Sequence, residues 1–292
     1  MSRTFSALVS ALVILSATPG LAQTASGAFK TEPGGTIAPK VAAAYVVRDQ
    51  FNPREKEVEI ILSSAAVNVA KAVADLTPHT TVINDPALKD TDYVLVWIKR
   101  DGTVSMNATF SKTMTQYLER SDRGGTFKAE LSTNTADKVA GRIFTPAPVK
   151  TRDGTSYSVD VTFSAIVTKP AAGTALPAGG GEPGKALAAF LAAREKKDWP
   201  ALKAALAPSA AQRFVKSYND DKENLTDMLD TLNFWMPARD VKITGGLLMG
   251  DAATIDVEGT MASGIKALSL VRLIKAESGW VFQDAALAGM LP

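Results

Sequence analysis

The sequence predicts two domains of different class, an all-β sandwich-like domain over residues 40–168 and an α+β cone over residues 183–292. Three observations support this prediction. Apolar and polar residues alternate with a period of two through most of the first region, which is typical of strands with one wet face. After residue 183 a helical period comes first, and short alternating strands follow Pro237. A segment rich in Gly, Ala and Pro, residues 169–182, separates the two patterns and is predicted to be a linker.

The first 22 residues have the pattern of a secretory signal peptide. Arg3 precedes an apolar run from Ala7 to Leu15, and small residues lead to a cleavage site after Ala22. The apolar run is shorter than the ~20 residues that a membrane-spanning helix needs. We therefore expect an exported protein of the periplasm or extracellular space that does not span the membrane. Residues 23–39, with few large apolar side chains, are predicted to be a flexible lead-in.

The amino-acid composition excludes several classes of function. The chain contains no Cys, which excludes disulfides, thiolate nucleophiles and Cys-ligated zinc. Its 32 basic and 30 acidic side chains nearly balance, whereas nucleic-acid binding needs clustered cations. We therefore expect that the protein does not bind nucleic acid.

Seven segments of the first domain have strand character, and Asp101-Gly102 between the third and fourth indicates a hairpin turn. A helical pattern over Ala65 to Leu76 interrupts them and ends at Pro78. Strands at this spacing favour an antiparallel sandwich or barrel. The predicted strands are Ala43–Val47, Val58–Leu62, Tyr93–Ile98, Val104–Phe110, Phe127–Leu131, Val139–Phe144 and Tyr157–Val167.

The second domain is predicted to contain four helices and then four strands. Asp198 is a natural N-cap for the second helix, and Pro208 ends it. The fourth helix stops before Pro237, and the strands cover roughly residues 240–245, 252–260, 265–275 and 280–286.

The order of these elements resembles the nuclear-transport-factor-like, ketosteroid-isomerase-like superfamily of α+β cones. Five segments carry the resemblance: Lys185-Ala-Leu-Ala-Ala-Phe190, Lys197-Asp-Trp199, Gly250 to Val257, Leu270 to Lys275, and Gly279-Trp-Val-Phe282. The resemblance covers about residues 183–288 and implies a ligand pocket between the helices and the sheet. We recognise no family for residues 40–168.

The resemblance also implies catalytic residues in the pocket. Ketosteroid isomerases combine a carboxylate base with a Tyr, and Tyr218 is the single Tyr of this region. Asp256, Glu258 and Asp284 are the nearest carboxylates on the predicted strands. However, Asp256 and Glu258 alternate with Ile255 and Val257, so they are expected to face water or an oligomer contact rather than the helices.

Three residues are candidate ligand-binding residues: Tyr218, Arg272 and Trp235. Arg272 lies in phase with Leu268, Leu270 and Ile274, and a guanidinium suits the recognition of a ligand carboxylate. A structural ion pair of Arg272 with Asp256 or Glu258 is the favoured alternative.

Other motifs predict neither a cofactor nor a metal. Residues 179–186 approach a phosphate-binding loop, but a linker precedes them and Ala186 lacks the hydroxyl that holds Mg²⁺. His79 is the only His, so a His-rich metal site is excluded, and Asp85, Asp90 and Asp92 do not form a calcium-loop pattern. A charged loop with Lys112, Arg120 and Arg123 around Tyr117 is interpreted as solvated rather than as a glycan-binding patch.

The leading hypothesis is a non-catalytic, exported protein of the cell envelope that binds a small apolar ligand or a partner protein. A small-molecule isomerase, cyclase or hydrolase acting in the C-terminal pocket is the first alternative. In the second, the C-terminal domain forms a homodimer and the β domain is the recognition surface, because the apolar tail Ala285–Leu291 is costly to leave exposed.

Overall fold

The computed structural model describes most of the chain after residue 22. The predicted signal peptide lies outside the described residues, as do Lys112 and Arg123. The side chains of residues 115–120 and 214–228 lie outside the description as well. The described ranges are 23–32, 34–49, 51–111, 115–120, 126–151, 154–218 and 222–292.

Residues 24–168 form one curled sheet of eleven strands, almost entirely antiparallel. All seven segments with predicted strand character lie in it. The strands are β1 (Thr24–Glu32), β2 (Thr36–Ile37), β3 (Val41–Asp49), β4 (Asn52–Ser63), β5 (Tyr93–Ile98), β6 (Val104–Phe110), β7 (Thr115–Arg120), β8 (Lys128–Asn134), β9 (Lys138–Phe144), β10 (Val149–Lys150) and β11 (Ser156–Thr168).

The strand order explains the curl of this sheet. Neighbours run β7-β6-β5-β4-β3-β1-β11-β9-β8, with β2 added to β1 and β10 added to β11. At the centre β3 pairs with β1 only at Val41 and Thr24, and it also pairs in parallel with the end of β11. The sheet bends there, so that strands from both halves share one apolar core. Phe29 on β1 stacks on Tyr157 of β11 in that core, with ring centroids 5.4 Å apart.

Residues 23–39 are not a flexible lead-in. Ala25 and Phe29 are buried on β1, which pairs along its whole length with β11, from Thr24 opposite Ser164 to Glu32 opposite Ser156. The sequence misled us because only every fourth residue of this strand is a buried apolar one. The segment is held by backbone pairing with a neighbour more than 120 residues away in the chain, which no local pattern reveals.

A small helical layer covers the outer face of β3, β4 and β5. It consists of α1 (Val69–Ala72), α2 (Pro78–Ile83) and a 3-10 turn (Pro86–Leu88). The predicted helix over residues 65–76 is therefore shorter than expected. Pro78, which we expected to end a helix, instead begins α2, where the missing N–H of proline costs nothing.

The rest of the chain adds four helices and a second, five-stranded antiparallel sheet. The helices are α3 (Gly181–Glu195), α4 (Trp199–Ala204), α5 (Pro208–Tyr218) and α6 (Lys222–Trp235), and the strands are β12 (Thr174–Leu176), β13 (Arg239–Met249), β14 (Ala252–Thr260), β15 (Lys266–Ala276) and β16 (Gly279–Met290). The strands follow the order β12-β13-β14-β15-β16. As predicted, Asp198 caps α4, accepting a hydrogen bond of 3.1 Å from the backbone N–H of Ala201. The predicted linker contains β12, which pairs with β13.

The predicted fold class is wrong. We expected a sandwich-like domain followed by an α+β cone, but the described chain is mostly β, with a large curled antiparallel sheet and few, short helices. The error has a physical cause: β1, β2, β7, β10 and β12 carry weak local signals and were missed. Counting these strands makes the sheets, rather than a helix–sheet cone, the dominant feature.

No helix among the described residues is long and apolar enough to cross a membrane.

Candidate functional site

The exposed apolar side chains of the described residues are unevenly distributed. Seven large apolar side chains are exposed, and five of them belong to the C-terminal part of the chain. We call these five residues the apolar end: Phe234, Trp235, Ile265, Leu287 and Met290. Because scattered single apolar residues are normal on a surface but a concentration of them is not, this is the first candidate site.

The backbone brings these residues to one end of the five-stranded sheet. Ala238, just after α6, donates a backbone hydrogen bond of 2.9 Å to Thr260 at the end of β14. Ile265 lies in the turn that follows, and its carbonyl accepts a bond of 2.8 Å from Met261. Met290 on β16 pairs with Ala267 at the start of β15. The last residues of α6, the β14–β15 turn and the end of β16 are therefore neighbours.

Trp235 and Phe234 form the aromatic part of this end. Their rings meet edge to face with centroids 4.7 Å apart, and their exposed fractions are 42% and 66%. Met236, the next residue, is completely buried, and α6 stops there because Pro237 follows. The core thus fixes the backbone while both aromatic rings stay in water, a geometry suited to binding.

Of the other two candidate ligand-binding residues, only Arg272 has a described side chain, and it does not join Trp235 in one site. The side chain of Tyr218 lies outside the described residues. Arg272 faces away from the helices, because its neighbours Val271 and Leu273 belong to the core beneath α3. Its Nη2 donates a hydrogen bond of 2.6 Å to the carbonyl of Ala74, between α1 and α2, and its Nε has no partner.

The favoured ion pairs of Arg272 are also not formed. Asp256 binds Arg48 and Glu258 binds Arg54, both in ion pairs that join β14 to the β3–β4 hairpin. The expectation that this acidic face meets water or an oligomer is therefore wrong. The face is covered by the curled sheet of the same chain, with Leu76, Leu270 and Ala286 forming a small apolar contact beside the ion pairs.

The core between the helices and the five-stranded sheet is closely packed. Phe190 on α3 stacks on Phe282 of β16 with centroids 4.6 Å apart and planes 3° from parallel. Leu187, Leu202, Ile255 and Val257 are completely buried around them. Asp284 lies at the outside, half-exposed, with its carboxylate 3.5 Å from Arg213. None of the three carboxylates considered for catalysis therefore faces the packed core.

A buried polar cluster, which sequence reasoning missed, forms a second candidate site on the outer face of the curled sheet. Glu59 on β4 is completely buried and accepts three side-chain hydrogen bonds. They come from Tyr45 Oη at 2.6 Å, His79 Nδ1 at 2.8 Å and Trp97 Nε1 at 3.1 Å. The strand register brings Tyr45 and Trp97 to Glu59, because they are its direct cross-strand partners on β3 and β5.

The electrostatics of this cluster raise the pKa of the imidazole. Burial lowers the pKa of His79, but the hydrogen bond and charge of Glu59 outweigh burial and raise the pKa above its usual value. Burial and the neighbouring carboxylate both raise the pKa of Tyr45, which keeps its phenol protonated as a donor. The His79 side chain is 43% exposed, so its ring exchanges protons with solvent.

The sequence held one signal for this cluster. Glu59 lies between Val58 and Ile60 and in phase with Ile61, at the start of the apolar half of β4, so a buried carboxylate needing partners was implied. His79 was instead interpreted as part of a Pro- and Asp-rich turn. Among the described residues, no group of three or more His, Asp and Glu side chains could hold a metal ion.

Arg194 is a buried cation with an incomplete set of partners. Its Nη2 donates a hydrogen bond of 2.6 Å to the carbonyl of Pro237, while Nη1 has no hydrogen-bond partner. Burial lowers the pKa of this guanidinium. Nη1 is itself buried, so Arg194 is interpreted as a structural link between α3 and the segment that leads into β13.

Comparison with known proteins adds no family: no protein-family model matches the chain, and no curated protein matches it, so the resemblance of residues 183–288 to ketosteroid-isomerase-like proteins stays a prediction.

Proposed function

We propose that this protein is an exported, non-catalytic binding protein of the cell envelope, and that it binds an apolar segment of a partner protein at the apolar end. The single observation that carries the proposal is the exposed aromatic pair Phe234 and Trp235 among three further exposed apolar side chains. Aromatic residues that stay rigid and exposed are the usual anchors of protein interfaces.

The packing supports a surface interaction over an internal ligand. Apolar side chains from both layers fill the space between α3 and the five-stranded sheet, including the Phe190–Phe282 stack. A small apolar ligand would need a cavity lined by such side chains. The carboxylates that an isomerase-type mechanism would use lie on other surfaces, which favours binding over catalysis.

The size of the apolar end indicates what occupies it. The five side chains are 36–66% exposed. If a large apolar side chain has an area comparable to the roughly 150–250 Å² of an aromatic one, they present on the order of 400 Å² of apolar surface. A stable interface between two folded proteins takes about 800 Å² from each partner. A segment with two or three apolar anchor side chains fits this area better than a second copy of the chain.

The proposal is tested with peptides selected from a displayed random library on the mature protein. We expect enrichment of peptides with apolar anchors, and a binding constant at least tenfold weaker for Trp235→Ala and for Phe234→Ala. Phe51→Ala is the matched control, because Phe51 is an aromatic side chain of similar exposure in the turn between β3 and β4. Equal loss in the control, or selected peptides that bind all variants alike, would refute the site.

Native mass spectra distinguish the other occupants. If the protein is a dimer that Trp235→Ala converts to a monomer, the occupant of the apolar end is a second copy of the chain and not a segment of another protein. An added mass of a few hundred daltons that disappears on denaturation would mean that the occupant is a small ligand. The same spectra, recorded on protein from the envelope, test export, because cleavage after Ala22 gives a chain that begins at Gln23.

A further inference from the structure

A groove crosses the outer surface of the curled sheet, far in sequence from the apolar end. It has a volume of about 530 Å³ and runs over β1 and β11 beside residues 145–148. This volume falls in the range of roughly 300–1,000 Å³ that small-molecule sites occupy.

The groove exists because the chain leaves the sheet and returns to it on one edge. β9 and β10 both pair with β11, and Thr145 to Pro148 form the excursion between them. Residues 145–148 form the wall of the groove, and β1 and β11 form its floor. The groove is deep beside this wall because Gly27 and Ala28, which have small or no side chains, are the residues of β1 beneath it. Gly27 has φ of 103° and approaches Asp160 so closely that an added Cβ would lie 2.0 Å from the Asp160 carbonyl oxygen.

The wall of the groove is held in place before any ligand arrives. Thr145 donates a backbone bond of 2.8 Å to Val159, and its hydroxyl accepts one of 3.2 Å from the Val159 N–H. Pro146 and Pro148 restrict the backbone on either side of Ala147. A ligand therefore loses little affinity to the ordering of this loop.

Hydroxyl groups dominate the polar lining. Cross-strand register places Ser26 opposite Thr162 and Lys30 opposite Ser158 on the outer face. Asp160 lies between them, and Arg142 fixes its carboxylate with two hydrogen bonds of 2.8 and 2.9 Å. The guanidinium of Arg142 in turn lies over the Phe144 ring, 4.4 Å from its centroid. The groove thus offers several neutral hydroxyls, one ammonium and one oriented carboxylate.

We propose that this groove binds a neutral oligosaccharide of two or three sugar rings, a function additional to the binding of a partner at the apolar end. Sugars carry hydroxyls that donate and accept, and the lining supplies both kinds of partner from Ser26, Ser158, Thr162 and Asp160. The proline rings supply apolar surface for the C–H faces of the sugars. One Lys beside a neutralised Asp gives little net charge, which disfavours a strongly anionic ligand.

The test uses amide chemical-shift changes of the mature protein titrated with cellotriose, maltotriose and N,N′,N″-triacetylchitotriose. We expect saturable shifts with at least one trisaccharide, confined to β1, β11 and residues 145–148. Ser158→Ala and Thr162→Ala should each weaken binding about fivefold, the effect of one net hydrogen bond. Ser164→Ala is the matched control, because Ser164 lies on the same face of β11 beyond the groove.

Three outcomes would overturn the proposal. The first is an absence of saturable shifts with all three sugars in protein whose spectrum shows it to be folded. The second is an equal loss of affinity in Ser164→Ala. The third is tighter binding of an acidic trisaccharide that Lys30→Gln abolishes, because the ligand would then be an anion. Ala28→Tyr, which fills the groove from a half-buried outer position, should abolish binding without affecting peptides at the apolar end.

Discussion

Arg48 on β3 donates two hydrogen bonds, of 2.9 and 3.0 Å, to the carboxylate of Asp256 on β14. The two residues belong to different sheets and are 208 positions apart in sequence. Arg54 and Glu258 form a second ion pair, in which Nε and Nη2 each donate to one carboxylate oxygen, with bonds of 2.9 and 2.7 Å. The curled sheet and the five-stranded sheet therefore meet through a paired set of guanidinium–carboxylate contacts.

The first prediction concerns this contact. Both side chains of the Arg48–Asp256 pair are about three-quarters buried, so Arg48→Ala should lower the free energy of unfolding by about 1–2 kcal/mol. In a double-mutant cycle with Asp256→Ala, measured by urea denaturation, we expect a coupling free energy near 1 kcal/mol. The Arg142–Asp160 pair also has two hydrogen bonds but is more exposed, with side-chain exposures of 44% and 63%, so its cycle should give a smaller value. Equal coupling in the two cycles would contradict the prediction.

The second prediction is a pH dependence that depends on His79. Because the folded-state pKa of His79 is raised above 6.5, its pair with Glu59 stabilises the fold fully below pH 6.5. This stabilisation is lost as the pH rises through the folded-state pKa. The melting temperature of the wild-type protein should therefore exceed that of His79→Gln by more at pH 6 than at pH 9.

His79 is the only histidine, so few other groups titrate in this window. Lys89→Gln, an exposed substitution near the same helical layer, provides a control for the loss of one positive charge. A difference between wild type and His79→Gln that stays constant from pH 6 to pH 9 would show that the imidazole charge does not contribute.

The third prediction separates the charge of Glu59 from its burial. Glu59→Leu would leave three donors, on Tyr45, His79 and Trp97, without their acceptor, so we expect a loss of about 3–5 kcal/mol in unfolding free energy. Glu59→Gln keeps one acceptor oxygen and should lose less. Glu55→Gln, on the exposed part of β4, should change stability by less than about 0.5 kcal/mol. Chemical denaturation measures all three, and a Leu variant as stable as the Gln variant would refute the ordering.

The fourth prediction tests the close approach of β1 to β11. Gly27→Ala should lower the unfolding free energy by about 2 kcal/mol or more, because the new Cβ meets the Asp160 carbonyl in a backbone conformation with positive φ. Gly102→Ala also has positive φ, at 85°, but nothing lies within 4 Å of the added Cβ. Gly102→Ala should lower the unfolding free energy by about 1 kcal/mol, because only the unfavourable positive φ contributes there. Equal losses would mean that the contact with Asp160 has no energetic effect.

Local alternation was enough to locate most strands. Tyr93–Ile98 and Val104–Phe110 were predicted to the residue, because each has apolar side chains in register and a turn sequence between them. The prediction failed at β1, which has few apolar residues, and it failed for the fold class, which depends on how strands associate. Trp235 was predicted as a binding residue and is exposed, whereas Glu59 was missed because its partners come from three other elements.

The sequence by itself determined which side chains turn inward along the strands that alternate clearly, such as β11 and β14, because the period of two is a property of the extended backbone. It also determined the cap of α4 at Asp198, an interaction within four residues. Only the tertiary structure decided what the polar faces of the strands contact. Asp256 and Glu258 were correctly placed away from the helices, but a polar face can meet water, a partner or another sheet with the same local sequence. Contacts such as Arg48–Asp256 form between distant segments, and their geometry exists only once both sheets have formed.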